Sequence, residues 1–168
     1  MGTLNFLTGN PGKLSETQEL LGPLGVDVQS FRIEGELPDI IEPQSENLTT
    51  VALAKIAQGV ELLAAEGRLH EMLLVEDSGL FIDALPDFPG VYSSFVFKSL
   101  GCEGILKLLE ENRDARFMTA AALWTGEAVE VFIGVCEGEI SREIHGEGGF
   151  GYDPIFVPHD DTQGRTFA

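Results

Sequence analysis

Between Asn47 and Glu66 the chain repeats apolar residues at helical spacing. Leu48, Val51, Ala52, Ile56, Val60 and Leu63 follow the i, i+3, i+4, i+7 rule. This predicts an amphipathic helix that must lay one face on a core. Lys55 falls seven residues after Leu48, on the apolar stripe. An ammonium there either snorkels to water along its stem or points into a cleft. The chain has four lysines, Lys13, Lys55, Lys98 and Lys107, so a lysine on a buried face requires a reason.

The rest of the chain alternates between short strand-like runs and helical patterns. "TLNFL" (Thr3–Leu7) reads as a short buried strand. Leu14, Thr17, Leu21 and Leu24 form a helical stripe closed by Gly25. "VDVQSFRI" (Val26–Ile33) alternates and reads as a strand. Glu34–Glu46 carries two prolines and five acids and reads as a loop. "MLLVEDSGLFIDAL" (Met72–Leu85) is a buried strand that meets Glu76 and Asp77, then Ser-Gly, then further strand-like residues. Pro86–Ser94 reads as a loop, and helices are expected at Phe95–Leu100 and Glu103–Asn112. Ala115–Trp124 and Ala128–Ile140 flank "TGE" as a β-hairpin, with strand character continuing to Ile144. His145–Pro158 is a glycine-rich loop entering a short strand. The alternation gives an α/β class, and the hairpin makes the sheet mixed.

Composition narrows the function. At 168 residues one domain is the default, and 43% hydrophobic residues suffice for a core. A net charge of −18 repels long nucleic acid. No apolar run approaches the ~20 residues of a membrane span. Cys102 and Cys136, with His70, His145 and His159, make no zinc-ligand spacing. Two cysteines suit a reducing, cytoplasmic setting.

Two familiar motifs fail on inspection. "NPGKLS" lacks the first glycine of a Walker A loop, having Leu7 there, and Leu14 replaces its Ser or Thr. "GEGGFG" (Gly146–Gly151) formally fits the dinucleotide fingerprint, but that motif opens a helix and Pro154 blocks one.

The opening stretch still has phosphate-loop chemistry. A strand ends, Gly9 and Gly12 permit close backbone approach, and free N–H groups of a helix start lie beside Lys13. Thr8 and Asn10 add hydrogen-bonding side chains. The alternative is a plain strand–helix turn with Lys13 in solvent. In "VEDSG", acids at the end of a core strand are costly unless solvated or paired. In open α/β sheets that position faces the ligand. Asp77 there suits Mg²⁺ and the handling of a water; otherwise it caps a turn with Ser78. Asp39 and Glu42 are the loop acids nearest the Lys55 helix, as further metal ligands or as solvated charges. Phe150 or Tyr152 in "FGYDP" either stacks on a nucleobase or packs under its loop. Combined, these parts describe a Mg²⁺-dependent enzyme acting on a nucleoside triphosphate.

"TGNPGK", "VEDSGL", "FPGVYS", "GEGGFGYDPIF" and "RTFA" occur in this order along the whole chain. Together they resemble the inosine triphosphate pyrophosphatase (Ham1-like) family, in a spelling similar to its archaeal members. The resemblance implies a single domain over residues 1–168, with an elongated mixed sheet flanked by helices and two lobes around a central cleft. It implies Mg²⁺-dependent hydrolysis of ITP, dITP and XTP to the monophosphate and pyrophosphate, cleansing the nucleotide pool, by a cytoplasmic homodimer. It assigns Thr8, Gly9, Asn10 and Lys13 to the triphosphate, Lys55 and Ser78 to the substrate, and Asp77 to metal binding and general-base work. Phe150, Gly151, Tyr152 and Asp153 would surround the base. The alternatives are a Maf-like nucleotide pyrophosphatase and a weakly active or inactive nucleotide-binding protein.

Three departures bear on this. The family's loop glutamate after Leu-Pro is Asp39 here, with Glu42 as substitute. Ser94 stands where Lys or Arg is frequent, and Lys98 lies one helical turn on. The family's Ser-His-Arg segment, which follows "TFA" and helps read the base, is lacking in this sequence, which ends at Ala168; the expectation is a truncated or a naturally short chain, with base discrimination the property at stake.

Overall fold

The computed structural model describes residues 2–168. Seven strands and three α-helices follow in chain order: β1 Gly2–Phe6, α1 Pro11–Leu21, β2 Val26–Ser30, α2 Leu48–Ala65, β3 Met72–Ile82, β4 Phe88–Gly90, α3 Ser93–Leu108, β5 Asp114–Trp124, β6 Val129–Ile140 and β7 Phe156–Pro158. The sheet order is β2-β1-β3-β5-β6-β7, with β4 also paired to β3. β1 runs parallel to β2 and β3, whereas β4 on β3 and β7 on β6 are antiparallel. The α/β class and the mixed sheet are as the alternation predicts.

The chain forms two compact units, Met1–Asp77 with Ala120–Phe132, and Ser78–Thr119 with Ile133–Ala168. In the first, Leu4, Phe6 and Val28 are buried, with Leu14, Leu21, Met72, Leu74 and Leu123 packed against them. In the second, Leu80, Ile82, Ile105, Ile140, Ile155 and Phe156 centre the core.

α2 follows its sequence pattern closely. Asn47 caps it by accepting from the N–H groups of Thr49 and Thr50 at 2.8 and 3.2 Å. Leu48, Val51, Ala52, Ile56, Gly59 and Leu63 are buried. By length and mean hydropathy the helix is apolar enough to cross a membrane. Its buried stripe and the paired Lys55 at its middle make it a core helix instead.

Four boundaries differ from the sequence expectation. α1 stops at Leu21 and a 3-10 turn, Gly22–Leu24, follows, because Pro23 cannot donate to a helical ladder. β2 stops at Ser30, and Ile33 bridges Glu36 around a turn with positive φ at Glu34 and Gly35. The two expected helices after Phe95 form one element broken at Gly101, whose φ is 62° and ψ −171°. β6 ends at Ile140 rather than Ile144.

The expected loop Pro86–Ser94 contains β4, whose Gly90 pairs with Leu80 of β3. Gly79 makes that pairing possible: a Cβ there would lie 2.2 Å from the Gly90 carbonyl oxygen. The Ser93 hydroxyl, itself buried, accepts from the Leu80 N–H at 2.8 Å and donates to the Gly90 carbonyl at 2.7 Å. Because of this pairing β3 does not end at its acids, as the sequence suggested, but runs on to Ile82.

Candidate active site

β1 delivers the loop that carries Lys13. Its last ladder bond joins the Leu7 N–H to the Leu74 carbonyl at 2.9 Å. β3 then continues past the carboxyl end of β1 through Val75, Glu76 and Asp77. The acids therefore do sit at the carboxyl end of a parallel strand, but that strand is the neighbour, β1. This is where open α/β sheets place their ligands.

The loop is fixed by side chains. The Thr8 hydroxyl accepts from the Asn10 N–H at 3.1 Å. Asn10 Oδ1 accepts from the N–H groups of Gly12 and Lys13 at 2.9 and 3.4 Å. Pro11 occupies the first turn, where its missing N–H costs nothing. The expected free amides of the helix start are thus taken, two of them by the Asn10 cap. Gly9 lies against the loop, since a Cβ there would meet Leu37 at 3.3 Å.

Two lysines from two helices converge on β3. Lys13 Nζ lies 3.0 Å from Glu76 Oε1, with side chains only 16% and 19% exposed. Lys55 Nζ lies 2.9 Å from Glu42 Oε1 and 3.4 Å from Asp77 Oδ1, and it donates to the Glu76 carbonyl at 3.2 Å. The stem of Lys55 runs along the apolar stripe of α2 and its head is inside, so the snorkelling alternative fails. Successive strand side chains point to opposite faces. Glu76 and Asp77 accordingly meet different lysines.

Burial pushes the Asp77 carboxyl up from its ordinary pKa; the Lys55 and Lys13 charges oppose this, and Glu42 adds to it. A carboxylate so tuned holds a proton nearer to neutral pH than an exposed one, as a general base requires.

Lys55 Nζ sits among three oxygens, from Glu42, Glu76 and Asp77. This is an all-oxygen cradle around a positive charge, the donor chemistry of Mg²⁺. Among the described residues no group of three or more His, Cys, Asp or Glu side chains stands gathered for a metal. Glu42 shares Lys55 with Asp77, whereas Asp39 is exposed and takes no part in that set.

The residues assigned to the base lie in the second unit. Phe150 N–H donates to Asp153 Oδ2 at 2.6 Å, closing a turn in which Gly149 has a φ of 68° and Gly151 a φ of 62°. Burial raises the Asp153 pKa, opposed by that hydrogen bond. The Tyr152 ring packs edge-on against Phe97 at 5.2 Å and is 3% exposed. Its hydroxyl donates to the Ser93 carbonyl at 3.2 Å. For Tyr152 the packing alternative holds and stacking does not, because its ring belongs to the core. Phe150 is half-buried on the loop. Ser78 is half-buried in β3, next to Asp77. Lys98 is exposed on α3.

Sequence reasoning left Glu76 and Ser93 out of the site and its support. Strand alternation next to Asp77 was the available signal for Glu76. Ser93 had none, since its partners are backbone groups brought together by β4.

The Ham1 family model matches residues 4–168. The chain is 44% identical over 167 residues to the dITP/XTP pyrophosphatase of Thermococcus kodakarensis, covering 98% of this chain and 83% of that protein. It is 43% identical over 166 residues to the dITP/XTP pyrophosphatase of Methanopyrus kandleri, covering 97% and 81%. Among solved structures, a HAM1 protein from Coxiella burnetii aligns with a TM-score of 0.79 and 32% identity, over 100% of this chain and 86% of that one. The Staphylococcus aureus Ham1 protein aligns with a TM-score of 0.74 and 26% identity, over 99% and 85%. The family model covers nearly the whole chain and the relatives match it over most of both lengths: the chain belongs to the Ham1 family.

Proposed function

We propose that this protein is a nucleoside triphosphate pyrophosphatase that hydrolyses non-canonical purine nucleotides, dITP, ITP and XTP, to the monophosphate and pyrophosphate. The carrying observation is the pairing of Lys13 and Lys55, from two helices, with Glu76, Asp77 and Glu42 at the carboxyl end of β1. Family relatives named dITP/XTP pyrophosphatase support the substrate class.

In this reading Lys13, with the Thr8–Asn10 loop, takes the phosphates, and Lys55 moves from the carboxylates to the substrate. Asp77 and Glu42 are the residues that would hold Mg²⁺; Glu42 is preferred to Asp39 because it already shares a cation, Lys55, with Asp77. Bound there, Mg²⁺ would supply charge neutralisation for the phosphates. Asp77 orients a water and accepts its proton as oxygen attacks a phosphorus of the α–β bridge, and pyrophosphate leaves. The lysine ammoniums, held in place before substrate arrives, stabilise the charge that builds on the bridging oxygen. Ser78 adjoins the phosphates, and Phe150, Gly151 and Asp153 receive the base, with Tyr152 contributing through its backbone.

The biological role proposed is removal of deaminated purines from the cytoplasmic nucleotide pool. The assembly proposed is a homodimer, on the family resemblance; sedimentation of the purified protein tests it.

The test of function is a substrate panel. The protein is incubated with Mg²⁺ and dITP, XTP, ATP or GTP, and products are resolved by chromatography. Monophosphate and pyrophosphate from dITP and XTP, with little from ATP and GTP, is the expected result. Equal turnover of all four overturns the base selectivity, and no turnover overturns the reaction.

A further inference from the structure

The proposed reaction gives work to Asp77 and Glu42 but none to Glu76, although Glu76 lies 3.0 Å from Lys13, closer than Asp77 lies to Lys55 at 3.4 Å. Among the described residues Glu76 is the carboxylate within ion-pair distance of Lys13, at 3.0 Å, and both side chains are largely buried. Its backbone carbonyl is held by Lys55, which pins the residue in place. Strand alternation turns its side chain away from Asp77, so it is not a second copy of that group. A buried carboxylate seated on the lysine that a polyphosphate must reach is a competitor for that lysine.

We propose that Glu76 is a positioning residue that acts as an intramolecular counter-anion for Lys13. It holds the ammonium in register before substrate arrives, is displaced by a phosphate group, and returns as pyrophosphate leaves. The inference rests on the phosphate-binding role of Lys13 in the proposed function. An internal competitor lowers apparent affinity by the fraction of sites in which the lysine is free. Glu76 therefore weakens the hold on pyrophosphate and favours its release.

The experiment is calorimetric titration with sodium pyrophosphate of the wild type, Glu76→Gln, Lys13→Ala and the double variant. Glu76→Gln keeps the length and an acceptor oxygen but removes the charge. Pyrophosphate should bind roughly fivefold more tightly to it, the scale of a modest ion pair. The KM for dITP should fall in parallel. On the Lys13→Ala background the substitution should change nothing. Unchanged or weaker pyrophosphate binding in Glu76→Gln overturns the proposal, as does equal tightening without Lys13. Should Glu76→Gln fail to fold, the carboxyl ¹³C resonance of Glu76 in the wild type reads the same event. It should shift when pyrophosphate is added, and a resonance that stays put overturns the proposal. Wild-type protein that binds pyrophosphate with the expected coupling but leaves dITP intact would overturn the proposed reaction alone.

Discussion

Lys55 Nζ lies 3.4 Å from Asp77 Oδ1, yet the Asp77 carboxyl titrates above its ordinary value because burial outweighs the lysine. At 3.4 Å the hydrogen bond is long and weak. Lys55 also divides its charge between Glu42 and the Glu76 carbonyl. The carboxylate is thus partnered well enough to stay inside and loosely enough to accept a proton.

In the proposed mechanism Asp77→Asn removes the proton acceptor and a residue that would hold the metal, while keeping the shape. Turnover of dITP should fall at least ~10²–10⁴-fold, the scale of general-base catalysis. The raised pKa also means that ionised Asp77 costs stability in the folded state at neutral pH. The variant should therefore melt no lower than the wild type, and calorimetry alongside kinetics checks both halves. A variant that is active, or inactive and unfolded, contradicts the assignment.

The pH dependence follows from the same group. As the proposed general base Asp77 acts in its ionised form, and burial raises its pKa, so activity should fall on acidification at a pH above the usual carboxylate range of about 4. The Asp77 contribution to stability runs the other way. The folded state binds this proton more tightly than the unfolded chain, so its contribution improves as pH falls through the raised pKa. A kcat/KM profile and melting temperatures across the same pH range should show the two trends diverging.

Lys13→Ala should raise the KM for dITP about tenfold or more, in keeping with loss of a charge-assisted contact to phosphate, with a smaller effect on kcat. Steady-state kinetics decides it. An unchanged KM would return Lys13 to a structural partner of Glu76.

Gly79→Ala tests the junction of β3 and β4. Its Cβ would fall 2.2 Å from a backbone oxygen that cannot swing away. The substitution should cost at least ~1–3 kcal/mol, as overpacking does, read by denaturant unfolding.

Tyr152→Phe separates packing from base recognition. It deletes the donor to the Ser93 carbonyl and should cost ~1 kcal/mol of stability. The KM for dITP should stay within about twofold, since loss of one hydroxyl leaves the backbone of the loop in place.

What the sequence made legible was local. The α2 stripe and the β5–β6 hairpin follow from periodicity and turn residues. Lys55 was conspicuous on its stripe, but its target lies 22 residues further on in sequence, and only the fold brings the two together. β4 was hidden because Phe-Pro-Gly has poor strand propensity; it forms because Gly79 admits Gly90. The burial of Tyr152 was equally hidden, since its packing partner Phe97 sits in a distant helix. The order of the motifs was enough to place the family, while the pairing of each acid with its lysine required the structure.

The most direct test of the central claim is the product pair formed from dITP. Purified protein with Mg²⁺ and dITP, beside Asp77→Asn, is analysed for nucleotide and for inorganic pyrophosphate and phosphate. The account predicts dIMP and pyrophosphate in equal amounts from the wild type and almost none from the variant. Release of dIDP and phosphate, or equal rates from both proteins, would contradict it.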